Sequence, residues 1–213
     1  MIIFFIPVVG SIIYLITQVY NKRDAEKIQN EITSIINPTK KIKDLERQIQ
    51  FSDTYSNRIE LAEAYIDIKD YTNAISQFQH TLKDKDHNHN FARQQLVLCY
   101  FEIENYTNAV QHAEVIKDNS DFKGSKYQFC YGLALKELGR VEEAEMQLKQ
   151  IDRPFSNYNE RLDLARFYIE HDRLSEAKEL LNEIAEESQH MTKPNRRIYS
   201  NTIAEVKRLL KSL

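Results

Sequence analysis

LAEAYIDIKDYTNAISQF, residues 61–78, is answered at a shift of 35 by LVLCYFEIENYTNAVQHA, residues 96–113. Leu, Tyr, Tyr, Thr, Asn and Ala recur in register. A third copy, YGLALKELGRVEEAEMQL from Tyr131, carries the frame to Ala144, and a fourth, LARFYIEHDRLSEAKELL from Leu164, reaches Ala177 after a step of 33. Self-similarity at such a period marks a chain built from stacked supersecondary units.

Helix geometry accounts for the columns. Leu61, Leu96, Tyr131 and Leu164 stand four residues before Tyr65, Tyr100, Leu135 and Tyr168, so both columns lie on one face of a first helix. Ala74, Ala109, Ala144 and Ala177 sit early in a second helix, where a larger side chain would push two backbones apart at a cost of about 1–3 kcal/mol. Phe78, Ala113, Leu148 and Leu181 complete the seam. Lys69-Asp70, Glu104-Asn105, Gly139-Arg140 and Asp172-Arg173 read as the turns. The chain has only four glycines in 213 residues, which fits helices with short connections, because the tight turns of sheets draw on glycine.

The pattern resembles the tetratricopeptide repeat, a helix-turn-helix unit of about 34 residues. The resemblance spans residues 55–189 as four units, 55–89, 90–124, 125–157 and 158–189. It implies an all-α helix-turn-helix solenoid whose first helices line a surface that receives peptides. Two departures stand out: the family's first-helix aromatic is replaced by Arg58, Arg93, Gln128 and Arg161, and the proline after the second helix is missing, although Pro154 falls near its place. We expect these to change the tightness of the turns.

Projected onto this chain, the family's groove falls on Ile59, Glu63 and Ile66 in the first unit. The second unit supplies Phe91, Leu98 and Phe101, the third Lys126, Phe129 and Leu133, and the fourth Leu162, Arg166 and Ile169. So apolar a strip suits an amphipathic helix or hydrophobic segment of a partner protein, unless its aromatics pack internally. The five positions of the carboxylate clamp known in this fold read Ile59, Glu63, Gln95, Lys126 and Cys130, and only Lys126 matches.

Residues 1–20 differ from everything after them. IIFFIPVVGSIIYLITQVY, residues 2–20, has no charge, and as a helix it would span about 28 Å, close to the bilayer hydrocarbon. Nothing basic precedes it and TQVYNKR offers no small-x-small site, so it does not read as a cleaved leader. Pro7 interrupts it near its start, as it would if a further segment preceded the chain. Pro7-Val8-Val9-Gly10-Ser11-Ile12-Ile13-Tyr14-Leu15 resembles the end of the short N-terminal membrane module of cardiolipin synthases, which implies a bacterial-type anchor without phospholipase chemistry. Lys22, Arg23 and Lys27 follow at once, and the positive-inside tendency then predicts a single-pass protein of the cell membrane with its repeats in the cytoplasm.

Residues 21–54 read as juxtamembrane and capping helices. Ile28, Ile32, Ile35 and Ile36 form one stripe, and Ile42, Leu45 and Ile49 form another that covers the first unit. Residues 190–213 predict a C-terminal cap on Tyr199, Ile203, Val206, Leu210 and Leu213, opened by Pro194. Its Lys193, Arg196, Arg197, Lys207, Arg208 and Lys211 face only Glu205, which suggests either contact with anionic lipid or a solvated outer face.

No catalytic constellation is legible. A phosphate loop, a zinc-protease motif and a nucleophile elbow are all missing, so no enzyme activity and no cofactor or metal are expected. A net charge of −3 argues against nucleic acid. Cys99 and Cys130 read as buried thiols, His87 and His89 as part of a polar connector, and His80 and His112 as exposed. Together these features predict a membrane-anchored scaffold that binds proteins. The alternative is an assembly factor or chaperone with its repeats outside the cytoplasm.

Overall fold

The computed structural model describes residues 37–213; the apolar run of residues 2–20, the cations behind it and the stripe from Ile28 to Ile36 lie outside them. Among the described residues every regular element is a helix, and no helix is long and apolar enough to cross a membrane. They divide into two compact units, residues 37–77 and 78–213.

The first unit holds α1 (Pro38–Phe51), α2 (Tyr55–Asp67) and most of α3 (Tyr71–Thr81). Pro38 opens α1, where its missing N–H costs nothing, and the Asn37 side chain accepts the Lys40 N–H. Ile42 and Leu45 are buried as α1 packs on α2, with Ile49 half-buried beside them. The Tyr65 hydroxyl donates to Glu46 at 2.7 Å, and the Gln48 amide donates to Asn57 at 2.9 Å. Burial, then the neighbouring Glu46 carboxylate, pushes the Tyr65 phenol up to about 12.

The second unit contains three helix pairs: α4 (Asn90–Glu102) with α5 (Tyr106–Ile116), α6 (Lys126–Glu137) with α7 (Val141–Lys149), and α8 (Tyr158–Glu170) with α9 (Leu174–Gln189). The short α10 (Lys193–Ile198) and then α11 (Ser200–Ser212) close it, with α11 packed on α9 and α8. Ala74, Ala109, Ala144 and Ala177 are all fully buried. A second small column, Ala62, Val97, Gly132 and Ala165, is buried on the first helices. A Cβ on Gly132 would come within 2.8 Å of the Leu148 side chain.

One turn geometry ends each first helix. Lys69, Glu104, Gly139 and Asp172 have φ of 60°, 59°, 73° and 57°. The next residue's N–H returns to the helix at 2.8–2.9 Å: Asp70 to Tyr65, Asn105 to Tyr100, Arg140 to Leu135 and Arg173 to Tyr168. This is the Schellman closure, which satisfies carbonyls the helix end leaves open. Three of the four positions hold side chains that disfavour left-handed backbone by about 1–2 kcal/mol each. Asp70 and Asn105 then accept N–H groups of the second helix. Arg140 and Arg173 instead pair with Glu143 and Glu176 at 2.6 and 2.7 Å.

The C-terminal cap differs from the single helix expected from Pro194 onward. Tyr199 breaks it, at φ −93° and ψ 17°, with its ring edge-on to Tyr158 at 5.0 Å. The aromatic contact turns the chain so that α11 can bury Val206 and Thr202. Ile203, Leu210 and Leu213 are only half-buried.

The turns supply a clean test. Gly139→Ala should lower the unfolding free energy by about 1 kcal/mol from backbone strain alone, because the added Cβ would meet nothing within 4 Å. Glu104→Gly should raise it by somewhat less, since glycine also gains freedom in the unfolded chain. Urea unfolding followed by circular dichroism reads both, and equal midpoints for all three proteins would remove the strain argument.

Candidate functional site

The candidate site is the face formed by the first helices of the second unit, α4, α6 and α8. On α4 the buried side belongs to Ala92, Leu96, Val97 and Tyr100, while Phe91 is exposed and Leu98 and Phe101 are half-exposed on the other side. Spacing of seven and then three residues puts these three in one line along the helix. On α6, Phe129 and Leu133 are half-exposed and Lys126 is exposed, its ammonium 5.1 Å from the Tyr127 ring centre. On α8, Ile169 is half-exposed and Arg166 exposed, but Leu162 is buried. In the first unit, Ile59 and Ile66 are half-buried and Glu63 is exposed. Burial, then the neighbouring Asp67, raises the Glu63 carboxyl above its ordinary range.

Charged pairs bind the second unit's face across helices. Lys136 on α6 reaches Glu170 on α8 at 2.6 Å, and Arg166 reaches Asp163 at 2.8 Å and Glu205 on α11 at 3.1 Å. Arg208 also grips Glu205, and the two guanidinium groups hold that carboxyl down to about 2. Beside them lies an open cleft of about 450 Å³ bounded by Asn159, Leu162, Asp163, Arg166, Asn201, Thr202 and Glu205. The face is thus apolar along α4 and α6 and polar where α8 meets α11. The polar end was not foreseen, because Thr202 and Glu205 lie beyond the repeats and carry no register to project from.

Cys99 and Cys130 are free, buried thiols, each pushed up to about 12 chiefly by burial, with Glu102 adding to the shift and Lys126 opposing it. Neither is a poised nucleophile. Among the described residues, no group of three or more acidic, histidine or cysteine side chains could hold a metal.

The polar replacements of the first-helix aromatic do more than adjust turns. Arg58 donates to Gln77 at 2.7 Å, Arg93 meets His112 at 3.3 Å, and Gln128 donates to Gln147 at 2.8 Å. Each pair is 19 residues apart and joins a first helix to its second. The signal was present in the sequence, since residues 77, 112 and 147 are polar in step with 58, 93 and 128. His112 is half-buried and stacked on Tyr100 at 5.5 Å, not exposed.

The fourth unit abandons this rung. Arg161, with 0% of its side chain exposed, binds Asp152 at 2.7 Å, Glu183 at 3.0 Å and Glu187 at 2.8 Å. Glu187 also accepts the backbone N–H of Phe155, whose φ of 60° is strained for a bulky residue. A guanidinium offers five donors in a fixed fork, which is what three separate acceptors require.

Neither a protein-family model nor a curated protein sequence matches the chain. Solved structures do. MamA from Desulfovibrio magneticus RS-1 superposes with a TM-score of 0.69 at 16% identity, covering 79% of this chain and 95% of that one. YrrB, described as a TPR protein with an unusual peptide-binding site, gives 0.62 at 14% identity over 84% and 88%. The TPR-like repeats of a protein designated kinesin light chain from Podosopora anserina give 0.56 at 18% over 72% and 84%. The chain therefore has the all-helical fold of tetratricopeptide-repeat proteins.

Two measurements probe the polar contacts. Burial, then the adjacent Arg93, pushes His112 from its ordinary 6.5 down to about 4. The unfolded chain then binds the extra proton between those values, so this stability is present above pH about 6.5 and lost as pH falls toward 4. Discounted for partial exposure, the loss from pH 7.5 to 5 should be about 1–2 kcal/mol. His112→Gln, which copies the amide of the Gln77 and Gln147 rungs, should shrink that loss in urea titrations; an unchanged pH slope would refute the assignment. Arg161→Met should cost about 3–5 kcal/mol by stranding Glu187, and adding Glu187→Gln should restore part of it.

Proposed function

We propose that this protein is a non-catalytic scaffold, anchored in the cell membrane by residues 2–20, that holds an apolar or amphipathic segment of a partner protein on its first-helix face. The observation that carries the reading is the line of partly exposed Leu98, Phe101, Phe129, Leu133 and Ile169 on three successive first helices. Aromatic and aliphatic side chains left half in water at helical spacing provide contact area that a partner helix can bury at about 25 cal/mol per Å². Ion pairs such as Lys136–Glu170 brace the helices beside it, so the strip is rigid before a ligand arrives and little ordering entropy is spent on binding. The cleft at Arg166 offers hydrogen-bonding groups to a polar end of the same segment. YrrB, of the same fold, is described as having a peptide-binding site, which agrees with this use of the surface.

The anchor reading rests on residues 2–20, which are uncharged and long enough as a helix to cross a bilayer, and the orientation rests on Lys22, Arg23 and Lys27. A fluorescent or phosphatase reporter fused after Leu213 should fluoresce and lack phosphatase activity. Active phosphatase would support the alternative, an assembly factor or chaperone with the repeats outside the cytoplasm.

For the strip itself, Phe101→Asp combined with Phe129→Asp should abolish co-purification of partners from crosslinked native membranes while helicity and Tm stay near wild type. Both rings are half-exposed, so the fold tolerates the charges. An unchanged partner set with an intact fold would sink the proposal.

A further inference from the structure

Helices α10 and α11 concentrate positive charge at the C-terminal end of a chain that is otherwise acidic. Residues 193–213 carry Lys193, Arg196, Arg197, Lys207, Arg208 and Lys211 against Glu205 alone, in a chain of net charge −3. Two of the six cations have structural tasks. Arg196 donates to the carbonyls of Ser188 and Gln189 at the end of α9, and Arg208 pairs with Glu205 at 2.7 Å. Lys193, Arg197, Lys207 and Lys211 make no ion pair among the described residues, and all four are exposed. Thr202 and Val206 turn to the core, which leaves Ala204, Lys207 and Lys211 on the outer side of α11. No residue of α10 is buried, and its Ile198 stands 71% exposed next to Arg197.

We propose that this outer face docks on a bilayer surface rich in anionic headgroups, with Lys193, Arg197, Lys207 and Lys211 at headgroup level and Ile198 entering the acyl boundary. Unpaired cations with a lone exposed aliphatic residue are the composition of an interfacial element, whose apolar side chain enters lipid while its cations stay with the phosphates. A nucleic acid would gain from the cations but not from Ile198. The inference rests on the anchor reading, because a tether at residues 2–20 would raise the concentration of the whole chain at the bilayer and so demand less affinity from four charges alone. Each well-placed cation changes partition by about fivefold, so four reach about a hundredfold or more at low salt.

The test uses the full chain carrying Ala204→Cys labelled with an environment-sensitive fluorophore, the native thiols being buried. Flotation with pure phosphatidylcholine vesicles reads the anchor, and quenching of the label by nitroxide-headgroup lipid reads the docking. We expect flotation with both vesicle types but at least about twofold stronger quenching when about a third of the lipid is phosphatidylglycerol, reversed by about 0.5 M salt. Lys193→Glu, Arg197→Glu, Lys207→Glu and Lys211→Glu together should abolish the quenching and leave flotation and helicity intact. Failure to float on phosphatidylcholine would overturn the anchor alone, and flotation on anionic vesicles lost in the quadruple variant would then still support docking. Equal quenching in both lipids would overturn it. A label response to duplex DNA equal to that on anionic vesicles would overturn it too, reducing the face to a general polyanion binder.

Discussion

Within the second unit, each first helix must lie against its own second helix, and the chain meets this constraint mostly with alanine and glycine at the close approaches. Ala109, Ala144 and Ala177 on the second helices and Gly132 and Ala165 on the first are buried, and at Gly132 an added Cβ would come within 2.8 Å of the Leu148 side chain. The larger residues of the seam, Leu96, Tyr131, Leu135, Leu148 and Leu181, fill the space around these near-contacts and are buried almost completely. Interiors packed this densely transmit displacement and do not absorb it. The spacing of the first helices, and with it the strip of Leu98, Phe101, Phe129 and Leu133, is therefore set by buried residues outside the strip.

Charge acts at a second level, over this packed frame. Three of the four pairs are crossed by a neutral or singly charged rung, Arg58–Gln77, Arg93–His112 or Gln128–Gln147. At the turns, the half-exposed Arg140 grips both carboxylate oxygens of Glu143, and Arg173 holds Glu176 and Glu145. Among the described residues, only Arg161 is both fully buried and multiply ion-paired, and there a desolvated guanidinium is balanced by three carboxylates, one of which is itself largely out of water. Such a cluster contributes less net stability than its short distances suggest, because burying charge is expensive, but removing one member leaves the others stranded.

What could be read from the residues follows from periodicity. The turns at Lys69, Glu104, Gly139 and Asp172, and the helices on either side, recur with the apolar columns, so one alignment locates them all. The rungs are equally periodic but polar, so hydrophobic columns alone do not reveal them. Tyr199 breaks the last helix through a ring contact with Tyr158, a pairing with no counterpart in the repeats. Leu162 projects to the same face as Leu133 yet is buried, because the fourth unit is followed by α11, which lines a cleft with it where the third unit is followed by α8. Local pattern reports a residue's helix face; burial depends on what comes next along the stack.

The rungs have a consequence for how the molecule is made. Each closes a loop of only 19 residues, within a single hairpin, and so rewards the first two helices to meet before any neighbour has formed. Contacts this local are cheap in loop entropy, and a chain rich in them gains structure quickly and from more than one starting place. A ribosome releasing this protein from its N-terminal end would then be followed, hairpin by hairpin, by units already closed upon themselves. Arg161 is the exception, because its partners Glu183 and Glu187 are the last of that set to emerge.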